Sequence, residues 1–186
     1  MTTSKPAATL TAATLIAAAL TIPAMAQSCP QDGPTAPLAL HQEWIMHGWE
    51  RHDGDPAFVF TQKMGKYYDL NDPTGVFWDN FAPGETQLFT DASVYGPNWE
   101  GLQNASRSIV HGMTDGGATL LGNDTASTAV GFVGRIERLS GDVLAFDARS
   151  QLGWKCVDGV WKIKQELNYA WLVEPQSIEA SLGKRL

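Results

Sequence analysis

The segment FWDNFAP sets Asp79 between Phe77, Trp78 and Phe81. A carboxyl held among aromatic rings keeps its proton to higher pH than one in water, and can exchange it near neutrality. Asp79 is therefore a candidate general acid or base. A solvated strand-edge carboxylate, or a partner for Arg135 or Arg149, are the alternatives the residues leave open. The second group would be His41 or His52. Both lie on a stripe of Leu38, His41, Ile45, Gly48, Trp49 and His52 at 3–4 residue spacing, the period of a helix face. A partly exposed helix histidine is the plainer reading of each.

The same spacing argues against a metal centre. His41 and His52 stand 11 residues apart, about 16 Å along a helix at ~1.5 Å per residue. His47 points to another face, and no compact ligand spacing such as His-x3-His occurs. No metal is expected. No Gly-x-Ser-x-Gly elbow marks an activated serine. No Gly-rich phosphate loop or dinucleotide turn appears either, so no cofactor is expected.

The elements that must position these groups can be read from the punctuation. Residues 27–36 are an extended, Pro-rich lead-in. Thr35 and Pro37 open a helix expected to run to about Asp53, with Gly54 as its stop. A short helix is expected from Ala57 to about Met64, a strand over 76–81, and a short returning strand over 87–90. Asp91 caps a helix carrying Val94, Tyr95, Trp99 and Leu102. Short strands are expected over 108–113 and 118–121, and a longer one over 128–139 with Val130, Phe132 and Ile136 on one face. Residues 142–156 place Leu144, Phe146, Ala148, Leu152, Trp154 and Cys156 on one face, and Asp147, Arg149, Gln151 and Lys155 on the other. After the Asp158-Gly159 hairpin turn, strict alternation over 160–173 gives Trp161, Ile163, Gln165, Leu167, Tyr169 and Trp171 one face. Lys162, Lys164, Glu166 and Asn168 take the other.

Helices first and one-sided antiparallel strands after them make an α+β layout. A strongly bent antiparallel sheet wrapped around the N-terminal helices encloses a conical cavity. On this reading Trp49, Phe77, Phe132, Phe146 and Trp154 line the cone, with Gln165 and Tyr169 offering hydrogen bonds into it. Such a site favours a small, largely apolar molecule. Asp147 and Arg149 face away, toward cross-strand ion pairs with Lys162, Lys164 or Glu166 on a sheet or dimer face.

The chain has 186 residues, 44% hydrophobic and 18% charged, with a formal charge of −7. That composition is globular, and its length suits one domain. An acidic chain with 13 Lys and Arg has no electrostatic footprint for nucleic acid. Lys5, an apolar run over 7–22 and Ala24-Met25-Ala26 read as a cleavable secretory signal peptide, 1–26, cut after Ala26. The run is shorter than a membrane span needs, so no membrane association is expected after cleavage. The expected location is periplasmic or secreted. Cys29 and Cys156, the only two cysteines, are then expected to form a disulfide. The sequons at Asn104 and Asn123 are incidental in a leader of bacterial type. The domain is placed at 37–175 and a C-terminal tail at 176–186.

The run RIERLSGDVLAFDARSQLGWKCVDGVWKIKQELNYAW resembles the C-terminal signature of the nuclear transport factor 2-like superfamily, in its SnoaL-like, ketosteroid-isomerase-like branch. That branch pairs an R-x-T strand with D-G-x-W-x-I. Arg149, Asp158, Gly159, Trp161 and Ile163 match it. FWDNFAP resembles the branch's Y-D-x-x-P segment, which precedes a helix with a Trp, here Trp99. The likeness spans most of 37–173 and implies the cone-shaped, cystatin-like fold. Gln165 and Leu167 stand where relatives often carry histidines, and Gln151 where they carry threonine, so no histidine role is inherited at those positions. The superfamily holds isomerases, dehydratases, binding proteins and assembly modules, so the fold leaves function open. Three readings follow: an exported binding protein for a small apolar molecule, an acid–base enzyme of isomerase, dehydratase or hydrolase type, and a homodimeric interaction module. The missing histidines favour binding over catalysis.

Overall fold

The computed structural model of the chain describes Met1 and residues 28–186. The expected leader, apart from Met1, lies outside the described residues. No helix among them is long and apolar enough to cross a membrane.

The first helix, α1 (Pro37–Glu43), begins with Pro at its start, where a missing N–H costs nothing. Its cap residue is Ala36, with no side-chain bond, so Thr35 does not cap it. The helix then widens into a π-helical turn, Trp44–Gly48, closed by Trp49 N–H donating to the Trp44 carbonyl five residues back. There it ends, five residues short of the expected stop. Beyond Trp49 the backbone is captured by a neighbouring strand: Arg51 and Ile109 exchange two hydrogen bonds of 2.9 Å. The helical phase therefore does not reach His52.

Helix α2 (Phe60–Met64) is short. Helix α3 (Ala92–Asn104) is capped by the Asp91 carboxylate, which accepts from Ser93 N–H at 2.7 Å. Its Glu100 and Asn104 side chains hold the backbone of Phe60 and Phe58, fixing α3 beside α2. The strands are β1 (Val76–Asp79), β2 (Leu88–Phe89), β3 (Ser106–Met113), β4 (Ala118–Leu121), β5 (Thr125–Arg138), β6 (Val143–Val157) and β7 (Val160–Leu172).

They form one open sheet in the order β2-β1-β7-β6-β5-β3, with β4 pairing along the first half of β5. All pairs are antiparallel except β1 with β7. The β6–β7 hairpin turns at Asp158 (φ 50°) and Gly159 (φ 80°), the double positive φ of a type I′ turn. The sheet curls around the helices, and the core between them holds Trp44, Ile45, Met64, Tyr68, Phe77, Leu152, Trp154, Trp161 and Ile163, none more than 2% exposed. The long, twisted strands β5 to β7 give the curvature.

Two connections bind the ends of the chain to this body. Cys29 and Cys156 are disulfide-bonded, with Cα atoms 5.7 Å apart. Trp161 adds an indole bond to the Pro30 carbonyl at 2.6 Å. At the other end, α4 (Pro175–Ile178) packs on the outer side of β5 and β6, and the residues after it lie along β3. Met113 N–H donates to the Lys184 carbonyl and Gly183 N–H to the His111 carbonyl. The segment set apart as a tail is thus packed against the sheet.

Candidate active site

The site depends on a change of parity in β7. Gly153 of β6 pairs with Gln165, but its successor Trp154 pairs with Ile163, so Lys164 is the extra residue of a β-bulge. Before the bulge, Trp161 and Ile163 point inward. After it, Glu166 and Asn168 do, at 2% and 8% exposure, while Gln165, Leu167, Tyr169 and Trp171 are exposed. Strict alternation placed these two sets the other way round. Gln165 and Tyr169 therefore stand on the outer face and offer nothing to the cone. The expected ion pairs of Asp147 and Arg149 with Lys162, Lys164 or Glu166 do not form either. Arg149 reaches Thr114 and Asp115 instead, and Lys162 caps the carbonyls of Gly65 and Lys66.

Asp79 enters the same space from β1, the strand parallel to β7. The two strands are locked just past it by Asn80, whose amide both accepts from Ala170 N–H and donates to the Ala170 carbonyl, each at 2.7 Å. This sets Asp79 directly beside Asn168. The Asn168 amide nitrogen donates to Asp79 Oδ2 at 3.1 Å and to Glu166 Oε1 at 2.5 Å. Asp79 Oδ1 accepts from Phe81 N–H at 2.6 Å. Neither Arg135 nor Arg149 reaches Asp79; Arg135 pairs with Glu179. Glu166 also accepts from the Tyr95 hydroxyl and, at 2.6 Å, from the Tyr68 hydroxyl, which itself accepts from the Trp44 indole.

Burial dominates the charge balance. It pushes the Asp79 carboxyl up to about 6, against the opposing pull of Phe81 N–H and Asn168. It pushes Glu166 up to about 8, despite three donors, with the Asp79 charge adding to the rise. Tyr68 and Tyr95 are held well above the ordinary phenol range by burial and by Glu166. Burial thus disfavours charge on both carboxyls, more strongly on Glu166 than on Asp79, and the two share one amide donor. Two carboxyls set apart in this way are the usual arrangement for acid–base work.

Above the pair lies a cavity of about 80 Å³. Its wall is mainly aromatic, from Trp44, Trp49, Tyr95, Trp99, Phe132 and Phe146, under a partly exposed rim that includes Trp49, Phe81, Leu102 and Ala170. Four buried polar atoms of its lining have no hydrogen-bond partner among the described residues: Trp99 Nε1, Gln103 Oε1, His111 Nδ1 and Asn168 Oδ1. Each such atom costs roughly 1–3 kcal/mol when left unpaired in a protein interior, which makes a cluster of them informative.

The sequence candidates fall in three places. Asp79, Trp49, Phe132 and Phe146 line the cavity. Phe77 and Trp154 are core residues outside its lining: Phe77 stacks on Tyr95 at 5.3 Å, and the Trp154 indole donates to Thr128 Oγ1 at 2.8 Å. His41 faces the sheet but has no free nitrogen. It bridges Thr128 Oγ1 (2.8 Å) and Ser150 Oγ (2.9 Å), and burial depresses it to about 3, so it is a neutral clamp between strands β5 and β6. His52 is exposed, because the chain has left the helix before reaching it. Glu166, Asn168, Tyr68, Tyr95 and His111 were not singled out from the sequence. The one available signal was Gly153, since a glycine inside a strand often marks a bulge in the pair. A Cβ there would meet the Gln165 side chain at 3.0 Å.

No family model and no curated protein matches the chain. Among solved structures, the chain is similar to the Kfla4162 protein from Kribbella flavida, with 14% identity over 62% of this chain and 80% of that one, at a TM-score of 0.51. A nuclear transport factor 2-like superfamily protein from Salmonella enterica serovar Typhimurium matches at 11% identity, 61% and 78% coverage and a TM-score of 0.48. A hexachlorocyclohexane dehydrochlorinase, LinA Type2, matches at 9% identity, 57% and 73% coverage and a TM-score of 0.44. With its open, curved sheet, its hairpin of long strands and its helices held inside the curve, the chain has the cone-shaped α+β fold expected from its sequence, a fold it shares with the Kribbella flavida protein.

Proposed function

We propose that this domain binds a small molecule in the cone and moves a proton on it, with Asp79 as the general base. One observation carries the reading: Asp79, 6% exposed, is held at the wall of an aromatic cavity by Asn168, whose amide also holds Glu166. A carboxylate raised toward neutrality in such a wall suits abstraction of a proton from carbon next to a carbonyl. That is the step shared by isomerases and many dehydratases. Asn168 orients Asp79, and Glu166, whose carboxyl burial raises further, is its neighbour on the same amide. The cavity's volume suits a small substrate.

The test is hydrogen–deuterium exchange at carbon, followed by proton NMR in D2O, across a panel of three- to six-carbon aldehydes and ketones. The wild type is expected to accelerate exchange in at least one by 100-fold or more over Asp79→Asn, with a rate that rises through about pH 6. Binding of panel members without exchange, together with an Asp79 that titrates in the ordinary range near 4, would leave a binding protein only.

Export and self-association belong to the same proposal. The Cys29–Cys156 bond suits an oxidising compartment. The bulge turns Leu167, Tyr169 and Trp171 outward at 51%, 54% and 40% exposure, with Trp78 stacked on Tyr169. A second copy of the chain covering this face would bury them. Light scattering at micromolar concentration tests it, and a monomer there removes the dimer.

A further inference from the structure

Three buried polar atoms of the cavity lie on elements other than those that carry the carboxyl pair. They belong to α3 and β3, across the cone from β1 and β7. Their hydrogen-bonding capacity follows from the chemistry of each group and, for Gln103, from what its other amide atom does. The Trp99 indole can only donate. The Gln103 amide nitrogen donates to the Trp49 carbonyl at 3.0 Å, so its oxygen is the atom left free, an acceptor. His111 is buried and packed edge-on to Phe132 and Phe146. Burial depresses it to about 4, so it is neutral, and its unpartnered Nδ1 can accept or donate according to the tautomer. This side of the cavity therefore offers one N–H, one acceptor and one imidazole nitrogen, all buried, across from the carboxyl pair in a lining rich in aromatic rings.

An apolar ligand would leave all three unpaired, and its affinity would suffer for it. A simple ketone or aldehyde could satisfy the indole alone. A ligand that carries both a carbonyl oxygen and a hydroxyl could satisfy a donor and an acceptor together. We infer that the cavity is built for a small hydroxy-carbonyl compound, whose carbonyl oxygen accepts from Trp99 Nε1 and whose hydroxyl donates to His111 Nδ1 or Gln103 Oε1. This rests on the proposed proton transfer only in sharing its cavity, and it narrows the substrate class. A carbonyl oxygen bonded to the indole would also receive the negative charge that develops when Asp79 removes the neighbouring proton.

The test uses hydroxyacetone and butan-2-one, which share the ketone and differ in the hydroxyl, titrated at millimolar concentration into the full-length mature protein labelled with nitrogen-15. The expected result is saturable movement of the Trp99 indole N–H and the His111 Nδ1 resonances with hydroxyacetone. Butan-2-one is expected to bind at least tenfold more weakly. Trp99→Phe, which keeps the ring face and removes the donor, is expected to weaken hydroxyacetone by about tenfold while the remaining indole signals hold their folded positions. Equal or tighter binding of butan-2-one overturns the inference. So does binding that leaves both resonances unmoved, or a crystal of the soaked protein in which ordered waters fill these atoms and are not displaced. The two readings fail separately. Hydroxyacetone that binds through Trp99 and His111 but shows no exchange at carbon ends the catalytic reading and keeps this one. Exchange in simple ketones with no response at Trp99 or His111 does the reverse.

Discussion

Asp79 and Asn168 are register partners on the two parallel strands of the sheet, and the amide of one donates to the carboxyl of the other at 3.1 Å. A bond to the charged form lowers a carboxyl pKa, here opposing the larger effect of burial. Asn168→Ala should therefore raise the Asp79 pKa above its value near 6, by roughly one unit, the equivalent of a hydrogen bond to a charged group. Carbon-13 NMR of the labelled carboxyl measures it. An unchanged or lowered value would show that Asn168 does not hold the carboxylate.

Four buried groups set how stability varies with pH. His41 and His111 are depressed to about 3 and about 4 from 6.5, so below 6.5 the unfolded chain binds protons that the folded one refuses. Their contribution falls as pH drops through that range. Asp79 and Glu166 are raised to about 6 and about 8 from 3.8 and 4.5, so the folded chain binds more protons than the unfolded one, and their contribution falls as pH rises. The opposing slopes cancel between about 4.5 and 6. From 6.5 to 8 only Glu166 still acts, and stability should decline. Urea unfolding across pH 3–9 should show a plateau near pH 5 with losses on both sides. Glu166→Gln should remove the alkaline decline.

His41 is a clamp and should behave as one. His41→Leu keeps most of the volume but leaves Thr128 and Ser150 without their buried partner, and should cost roughly 2–4 kcal/mol in urea unfolding. In the wild type the ring should stay neutral at pH 5 by nitrogen-15 NMR. Protonation there would restore His41 as an acid–base candidate.

Gly112 meets the backbone of the C-terminal segment so closely that a Cβ would sit 1.8 Å from the Ser181 carbonyl oxygen. Gly112→Ala should lift residues 179–186 from the sheet. Amide exchange should then speed up at Met113 and Gly183, whose N–H groups bond to Lys184 and His111 across this contact, and much less in β6. Uniform exchange throughout would mean that the segment and the sheet open as one unit.

The Cys29–Cys156 bond closes a span of 127 residues. Replacing both cysteines with serine should cost roughly 3–5 kcal/mol, mostly through the freedom regained by the unfolded chain. Denaturant unfolding of the variant against the oxidised wild type measures it.

Local chemistry was legible in the residues. Asp91 capped its helix, Asp158-Gly159 turned its hairpin, and alternation in 142–156 sorted β6 into its two faces, because each depends on neighbours in sequence. Asp79 was found by the same route, from the rings beside it. Glu166 and Asn168 were not, because one bulged residue at Lys164 inverts every side chain that follows it. Its register is settled by pairing with β6 and β1, not by anything within β7. His52 was misplaced for a related reason: the helix ended where Arg51 found Ile109, 58 residues away. Periodicity and turn residues thus located most strands and helices, and two cysteines left one possible pairing. Which face of the last strand looks into the cone followed from its pairing with β6 and β1, since strand parity is a property of the pair and cannot be read from one strand alone.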